Sequence, residues 1–215
     1  MKMPQITITH DQYMKIARTH HLTPVIVYGS LSAIMLALVF YWGQKTLSHI
    51  SLLFFSGMFL WTVVEYFLHR FPFHKDIKTE PFRLITSGLH LLHHEIPNRG
   101  DYVVAPIAMS FPFYVLIVSL LCLAAQDVSN GFLLSSGLAT AYLAYEWTHY
   151  ATHHRVAKTR FGKYLKKHHM MHHFKDSNNY FGVTSPLWDF LFGTLPNSDS
   201  KRESTILPIL SREHS

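Results

Sequence analysis

The chain has 215 residues, a formal net charge of +6 and 48% hydrophobic side chains. One domain is the expected organisation at this length, and the single Cys122 excludes an internal disulfide framework and any cysteine-based zinc motif. Basic charge alone would fit a nucleic-acid binder, but its distribution along the chain points to a membrane, and no nucleic-acid partner is expected.

Residues 1–21 are polar with scattered apolar positions and read as a leader or a short interfacial helix; no cleavable signal peptide is evident. Pro24 to Gly43 is a nearly uncharged apolar run, long enough as a helix to cross a hydrocarbon core of ~30 Å. Tyr41 and Trp42 close it with an interfacial aromatic pair. After a turn at 44–48, Ile50 to Leu68 is a second run, carrying Glu65 near its end. Residues 69–104 are polar and basic. Ala105 to Ala125 is a third run, with Pro112 as a possible kink, and Gly131 to Trp147 a fourth, with Glu146 near its end. A soluble bundle would need a polar face on each helix, and these runs have almost none. The sequence therefore predicts an all-α integral membrane protein with four transmembrane helices, at about 24–43, 50–68, 105–125 and 131–147. A cytosolic helical cap is expected from residues 69–104 and 150–215. Of the 19 Lys and Arg, only Lys45 falls in a short turn, so the long segments are assigned to the cytoplasm, with both termini.

Histidine is in gross excess, at 17 residues. Ten form four spaced motifs: His69 and His74; His90, His93 and His94; His149 and His153; His169, His172 and His173. Positions 0, 3 and 4 of a helix fall within an arc of about 100°, so each HxxHH triplet is expected to aim three imidazoles at one spot. Pro72 should break the second helix and let His74 turn inward. A lone helical histidine is usually a surface or satisfied core residue, but four such motifs on one side of one membrane domain imply a metal site. Ten donors are too many for one ion and fit two, with about five nitrogens each. Neutral imidazoles suit Zn, Cu, Fe and Ni. Glu65 lies four residues before His69 and Glu146 three before His149, so each carboxylate is expected to accept its histidine's distal N–H. Asp101 and Asp189 are weaker candidates for that task. His154 and His168 adjoin ligands but point off the shared face, and His10, His20, His21, His49 and His214 read as exposed. Phe71, Phe73, Phe174, Tyr180, Phe181 and Trp188 are candidates for a substrate mouth, with interface anchoring as the alternative. Residues 185–194 could form a short helix lying against the membrane.

The order HxxxxH, HxxHH, HxxxH, HxxHH resembles the fatty acid hydroxylase and sterol desaturase superfamily. Residues 90–106, 165–174 and 180–194 look like the signatures of its fatty acid 2-hydroxylase branch. The resemblance covers residues 22–215 and implies a membrane oxygenase that inserts oxygen at C2 of a long-chain acyl group. It implies two Fe ions, with Zn acceptable in their place, held by His69, His74, His90, His93, His94, His149, His153, His169, His172 and His173, and O2 as co-substrate. Many eukaryotic members carry a fused cytochrome b5-like domain, for which residues 1–21 are too short. Electrons are therefore expected from a separate cytochrome b5-like or ferredoxin-type donor, at an ER membrane or a bacterial inner membrane. Sterol desaturases, sterol methyl oxidases and carotenoid ring hydroxylases share the boxes, and residues 180–194 favour acyl chains over these. A metal transporter should carry ligands mid-membrane, whereas no apolar run has a histidine in its interior. A zinc hydrolase would need fewer ligands and no O2.

Overall fold

The computed structural model describes Lys15 and residues 17–43, 45–74 and 89–196. Most of the expected leader lies outside these residues, as do positions 75–88 of the expected cap and His10 and His214. Every regular element among the described residues is helical: α1 (Thr23–Trp42), α2 (Leu47–Leu68), α3 (Leu89–Glu95), α4 (Ile107–Ala125), α5 (Val128–His154), α6 (Arg160–Phe174) and α7 (Leu187–Leu191).

The helix ends follow local chemistry. Thr46, Asp127 and Thr159 each accept a backbone N–H of the first turn, starting α2, α5 and α6. Gly43 ends α1 with φ 65°, a left-handed conformation that costs glycine little. Pro112 lies inside α4 without ending it. Pro72 does not break the second helix as expected. The helix instead widens into a π-helical turn over His69–Phe73 and stops at His74. Proline lacks the N–H that would close an α-helical bond, and the wider turn accommodates that loss.

Helix α5 is central, with α1, α2 and α4 packed around it. Its buried face is built largely from small residues, including Gly131, Ser135, Ser136, Gly137, Ala139 and Ala141. Close backbone approach is thereby allowed, as in other helix bundles of apolar surroundings. An aromatic knot of Tyr28, Trp61, Tyr114, Tyr142 and Tyr145 fills the bundle in tilted and edge-on contacts. Outward-facing side chains are apolar instead, with Ile26, Phe40, Leu52, Phe55, Leu116 and Leu123 exposed.

Among the described residues, three helices are long and apolar enough to cross a membrane: Thr23–Trp42, Leu47–Phe73 and Ile107–Ala125. At 27 residues α5 is long enough, but its serines, threonines and Glu146 make it more polar than these three. Its partners α1, α2 and α4 shield it on several sides, which is why it tolerates a composition the outer helices do not.

Candidate metal centre

Each of the ten motif histidines is carried to one end of the bundle by its own helix. His69 opens the π-helical turn and His74 closes it, His149 and His153 lie in the last turns of α5, and the two HxxHH triplets lie on α3 and α6. Their imidazole nitrogens form two groups of five: His69, His74, His90, His94 and His172 in one, and His93, His149, His153, His169 and His173 in the other. Neither triplet points at a single spot. In each, the i and i+4 histidines enter one group and the i+3 histidine enters the other. Helical geometry explains the split: positions 0 and 4 are about 40° apart, while position 3 lies about 100° from position 4. The triplets thus interlock, α3 giving two nitrogens to the first group and one to the second, and α6 the reverse.

The spacing fits coordination. In the first group, His90 Nε2 lies 3.1 Å from His69 Nε2, 2.9 Å from His74 Nε2 and 3.0 Å from His94 Nε2. His172 Nε2 lies 2.9 Å from His74 Nε2. In the second group the Nε2 pairs His93–His149, His153–His169 and His169–His173 lie at 3.0, 2.8 and 3.1 Å. One proton can bridge only one such pair, so facing lone pairs are left without a donor. A cation between them resolves that repulsion. For metal–nitrogen bonds of ~2.1 Å, ligands at right angles lie ~3.0 Å apart and opposite ones ~4.2 Å, against ~3.4 Å for a tetrahedron. Within each group all five ligand atoms lie within 4.8 Å of one another. The donor sets therefore fit two ions of coordination number above four.

Burial pushes the pKa of His90, His94, His169 and His172 well below the ordinary 6.5, and neighbouring imidazoles push in the same direction. These side chains are neutral at neutral pH, the form that ligates metal.

The contacts behind the ligands differ from the sequence expectation. The Glu65 carboxylate does not bond the His69 imidazole, although the Glu65 backbone carbonyl accepts the His69 backbone N–H. Its Oε1 accepts from Val183 N at 2.7 Å and Thr184 N at 2.9 Å, and its Oε2 accepts from the Thr184 hydroxyl. Glu146 does not touch His149. Its Oε1 accepts from the Tyr142 hydroxyl at 2.6 Å and Ala105 N at 3.3 Å, while its Oε2 and His149 Nδ1 are both buried without a partner. A residue four or three positions back along a helix shares a face, but these carboxylates have the reach to choose backbone amides of another segment. Asp101 sits away from the clusters in a salt bridge with Arg99. Asp189 is fully buried and accepts from Phe181 N, Gly182 N, the Thr194 hydroxyl and His168 Nε2. His168 is thereby engaged away from the clusters, and the His154 ring packs tilted against Tyr150. His21, stacked on Tyr150, and His49, bonded to Asn130, are half-buried rather than exposed.

A backbone carbonyl takes the place expected of Glu65 behind His69, and a second one stands behind His172. Nδ1–H of His69 donates to the Phe181 carbonyl, and Nδ1–H of His172 donates to the Asn179 carbonyl at 2.7 Å. Both directions follow from geometry, since a carbonyl can only accept, and both leave Nε2 as the free lone pair facing the first group. Between these carbonyls Tyr180 holds φ 62°, in the left-handed region that costs a non-glycine residue free energy. No side-chain motif announces a carbonyl, so the sequence carried no direct signal for them.

A cavity of about 50 Å³ adjoins both groups, lined by His90, His93 and His149 together with Phe73, Val103, Val104, Pro106, Met109 and Tyr145 among others. None of its lining comes from α6. Of the aromatic candidates for a substrate mouth, Phe73 lines this cavity and Phe181 packs against the rings of His69, His74 and His172. Phe71 stacks on Phe67, Tyr180 packs on His168, and Phe174 is exposed. Trp188 bonds Thr62 of α2, which seats α7 beside that helix.

Among the described residues the fold is all-helical, with three helices apolar and long enough to cross a membrane and ten imidazoles in two groups that could hold metal ions, the traits of a metal-dependent enzyme class built on apolar helices. The family model for fatty acid hydroxylases matches residues 54–194, which contain all four histidine motifs. This chain belongs to the fatty acid hydroxylase family. It is 39% identical over 151 residues to a dihydroceramide fatty acyl 2-hydroxylase of Arabidopsis thaliana, covering 70% of this chain and 63% of that protein. It is 37% identical over 148 residues to a ceramide very long chain fatty acid hydroxylase of Schizosaccharomyces pombe, covering 66% of this chain and 41% of that one. The solved structure of full-length scs7p, in which only the hydroxylase domain is visible, superposes with a TM-score of 0.76 at 28% identity. That match covers 88% of this chain and 72% of the other. The chain thus spans less than two thirds of the length of these two curated relatives.

Proposed function

We propose that this chain is a membrane-bound, O2-dependent hydroxylase with two iron ions that inserts oxygen at C2 of a long-chain fatty acyl group, carried as a free acid, a sphingolipid or a related lipid. The observation that carries this reading is two five-nitrogen sets at coordination spacing, in a chain whose relatives are named fatty acyl 2-hydroxylases. His69, His74, His90, His94 and His172 hold one ion; His93, His149, His153, His169 and His173 hold the other. Zinc also fits such imidazole sets.

When bound, the two irons supply activation of O2, one oxygen atom entering the C–H bond and the other leaving as water after two electrons and two protons are added. The chain's own residues position and exclude. The cavity walls Phe73, Val103, Val104 and Met109 present an apolar, water-poor surface beside His90, His93 and His149. That surface suits acyl carbons near the carboxyl end, the tail running between the outer helices into lipid. Phe181 holds the imidazoles of the first group from behind; Phe71, Phe174, Tyr180 and Trp188 border the mouth more remotely. Residues 22–215 act as one membrane domain. Helix α5 is its fourth span, and the histidine end lies in a cytosolic cap within reach of a cytochrome b5-like or ferredoxin-type donor. Such an enzyme belongs in the ER membrane or a bacterial inner membrane.

The deciding experiment is lipid mass spectrometry of cells expressing wild type or His172→Ala, grown with and without O2. A 2-hydroxy acyl product that requires both O2 and His172 is expected. A modified sterol or carotenoid, or a product formed without O2, would overturn the reading.

A further inference from the structure

The two clusters differ in what stands behind their ligands. In the first, the Nδ1 protons of His69 and His172 are fixed on the carbonyls of Phe181 and Asn179. In the second, Nδ1 of His93, His149, His169 and His173 is buried without a hydrogen-bond partner among the described residues. The carbonyls belong to one loop, and that loop is itself fastened. Glu65 takes two amides and a hydroxyl at Val183 and Thr184, Asp189 takes the amides of Phe181 and Gly182, and Tyr180 N bonds the Thr194 carbonyl at 3.0 Å. The left-handed φ of Tyr180 lies at the residue between the two working carbonyls. Strain of that kind persists only where surroundings over-determine it.

We infer that the two clusters are unequal metal sites, and that the loop of residues 179–184, fastened by Glu65 and Asp189, makes the His69 cluster the tighter one. This inference rests on the two-metal reading above. An imidazole whose distal N–H is already seated has its tautomer and ring orientation set before the ion arrives, and the acceptor raises its basicity. Such outer partners are typically worth 10–100-fold in metal affinity. The first cluster has two of them from one braced loop. The second must bind metal with four distal N–H groups unpaired in a buried setting, where an unsatisfied donor is costly. Glu65 is therefore a positioning residue: its carboxylate acts on the His69 and His172 imidazoles through the loop and bonds neither ring.

The test uses full-length protein in detergent, stripped with a chelator and titrated with Zn2+, with bound metal counted by mass spectrometry. Wild type should fill in two steps of one equivalent each, separated by about 10-fold or more in affinity. His90→Ala should abolish the tight step and His149→Ala the weak one. Glu65→Ala should weaken the tight step about 10-fold and leave the weak step in place, while Glu65→Gln, which keeps an acceptor oxygen, should restore most of it. Should Glu65→Ala fail to fold, as read by size exclusion and thermal unfolding, Thr184→Val removes the hydroxyl contact alone and should shift the same step. A single step of two equivalents overturns the inequality and leaves the two-metal reading standing, as does loss of the tight step in His149→Ala. Weakening of both steps alike by Glu65→Ala overturns the loop's role. Fewer than two equivalents in wild type overturns the two-metal reading itself.

Discussion

His94 and His173 stack nearly parallel, 14° apart, with ring centroids 4.0 Å from each other, and they belong to different clusters. One comes from α3 and the other from α6, so the contact joins the two interlocking triplets at the seam between the sites. His173→Ala should therefore remove a ligand of the second cluster and loosen a ligand of the first. Outer partners of metal ligands are worth about 10–100-fold, and a ligand at least as much. Hydroxylated product should fall by about 100-fold or more, with metal content of the purified protein well below two per chain. Full metal content and activity would show that His173 is not a ligand.

Much of this was legible in the sequence because helical periodicity and apolar run length act locally. The helices at 23–42, 47–68 and 107–125 follow from uncharged runs, and the ten histidines from their spacing. The offsets of about 40° and 100° allow each triplet to divide, but which histidines meet across helices depends on where α3 and α6 stand relative to the other helices, and that was not legible. The partners of Glu65 and Glu146 were missed for the same reason: a carboxylate's choice between a neighbour on its own helix and an amide far along the chain is made by tertiary packing. Pro72 reads as a break because it removes an α-helical hydrogen bond, and the π-helical alternative leaves no mark in the sequence.

The crossing of α2 and α5 depends on two glycines. A Cβ at Gly57 would overlap the Leu134 carbonyl, and one at Gly137 would overlap the Phe54 carbonyl, backbone atoms that cannot swing away. Gly57→Ala or Gly137→Ala should destabilise the protein by about 1–3 kcal/mol through overpacking, at about 2–4 °C in Tm per kcal/mol. His69 and His149 extend from these helices, so metal content should fall as well. Gly29 is the internal control. A Cβ there meets only Leu143, at an ordinary 3.8 Å, so Gly29→Ala should be neutral or stabilising by up to about 1 kcal/mol. Thermal unfolding in detergent distinguishes these outcomes.

Acid should destabilise the metal-stripped protein in a defined window. Burial holds His90, His94 and His172 well below 6.5, and His173 at about 2. In the unfolded chain the same groups titrate near 6.5. Between those values the unfolded chain binds more protons than the folded one, so stability rises with pH there. The contribution is complete above the unfolded value and is lost as pH falls from it toward the folded values. The Tm of stripped protein should be flat from about pH 7 to 8 and fall progressively below about 6.5. Added Zn2+ should raise Tm near neutrality and do so less in acid, because protons compete with metal for the same nitrogens. A Tm independent of pH down to about 5 would show that these imidazoles are not held neutral by the fold.

Met109 lines the cavity beside His90, His93 and His149, in the first turn of α4, and contributes no atom to either cluster. The cavity is about 50 Å³, so a larger side chain at this position should fill it. If acyl carbons reach the centre through this space, Met109→Trp should cut hydroxylation by up to about 100-fold, as expected for reactants displaced by about 1 Å, and leave two metals bound. Loss of both metal and product would instead mark a folding defect. Metal retained with undiminished turnover would place the acyl path elsewhere, and the face of Phe181 toward His69 and His172 would then be the next wall to block. Measuring metal content and 2-hydroxy product on the same preparation separates these results, because the cavity wall and the ligand set are distinct residues that meet only at His90, His93 and His149.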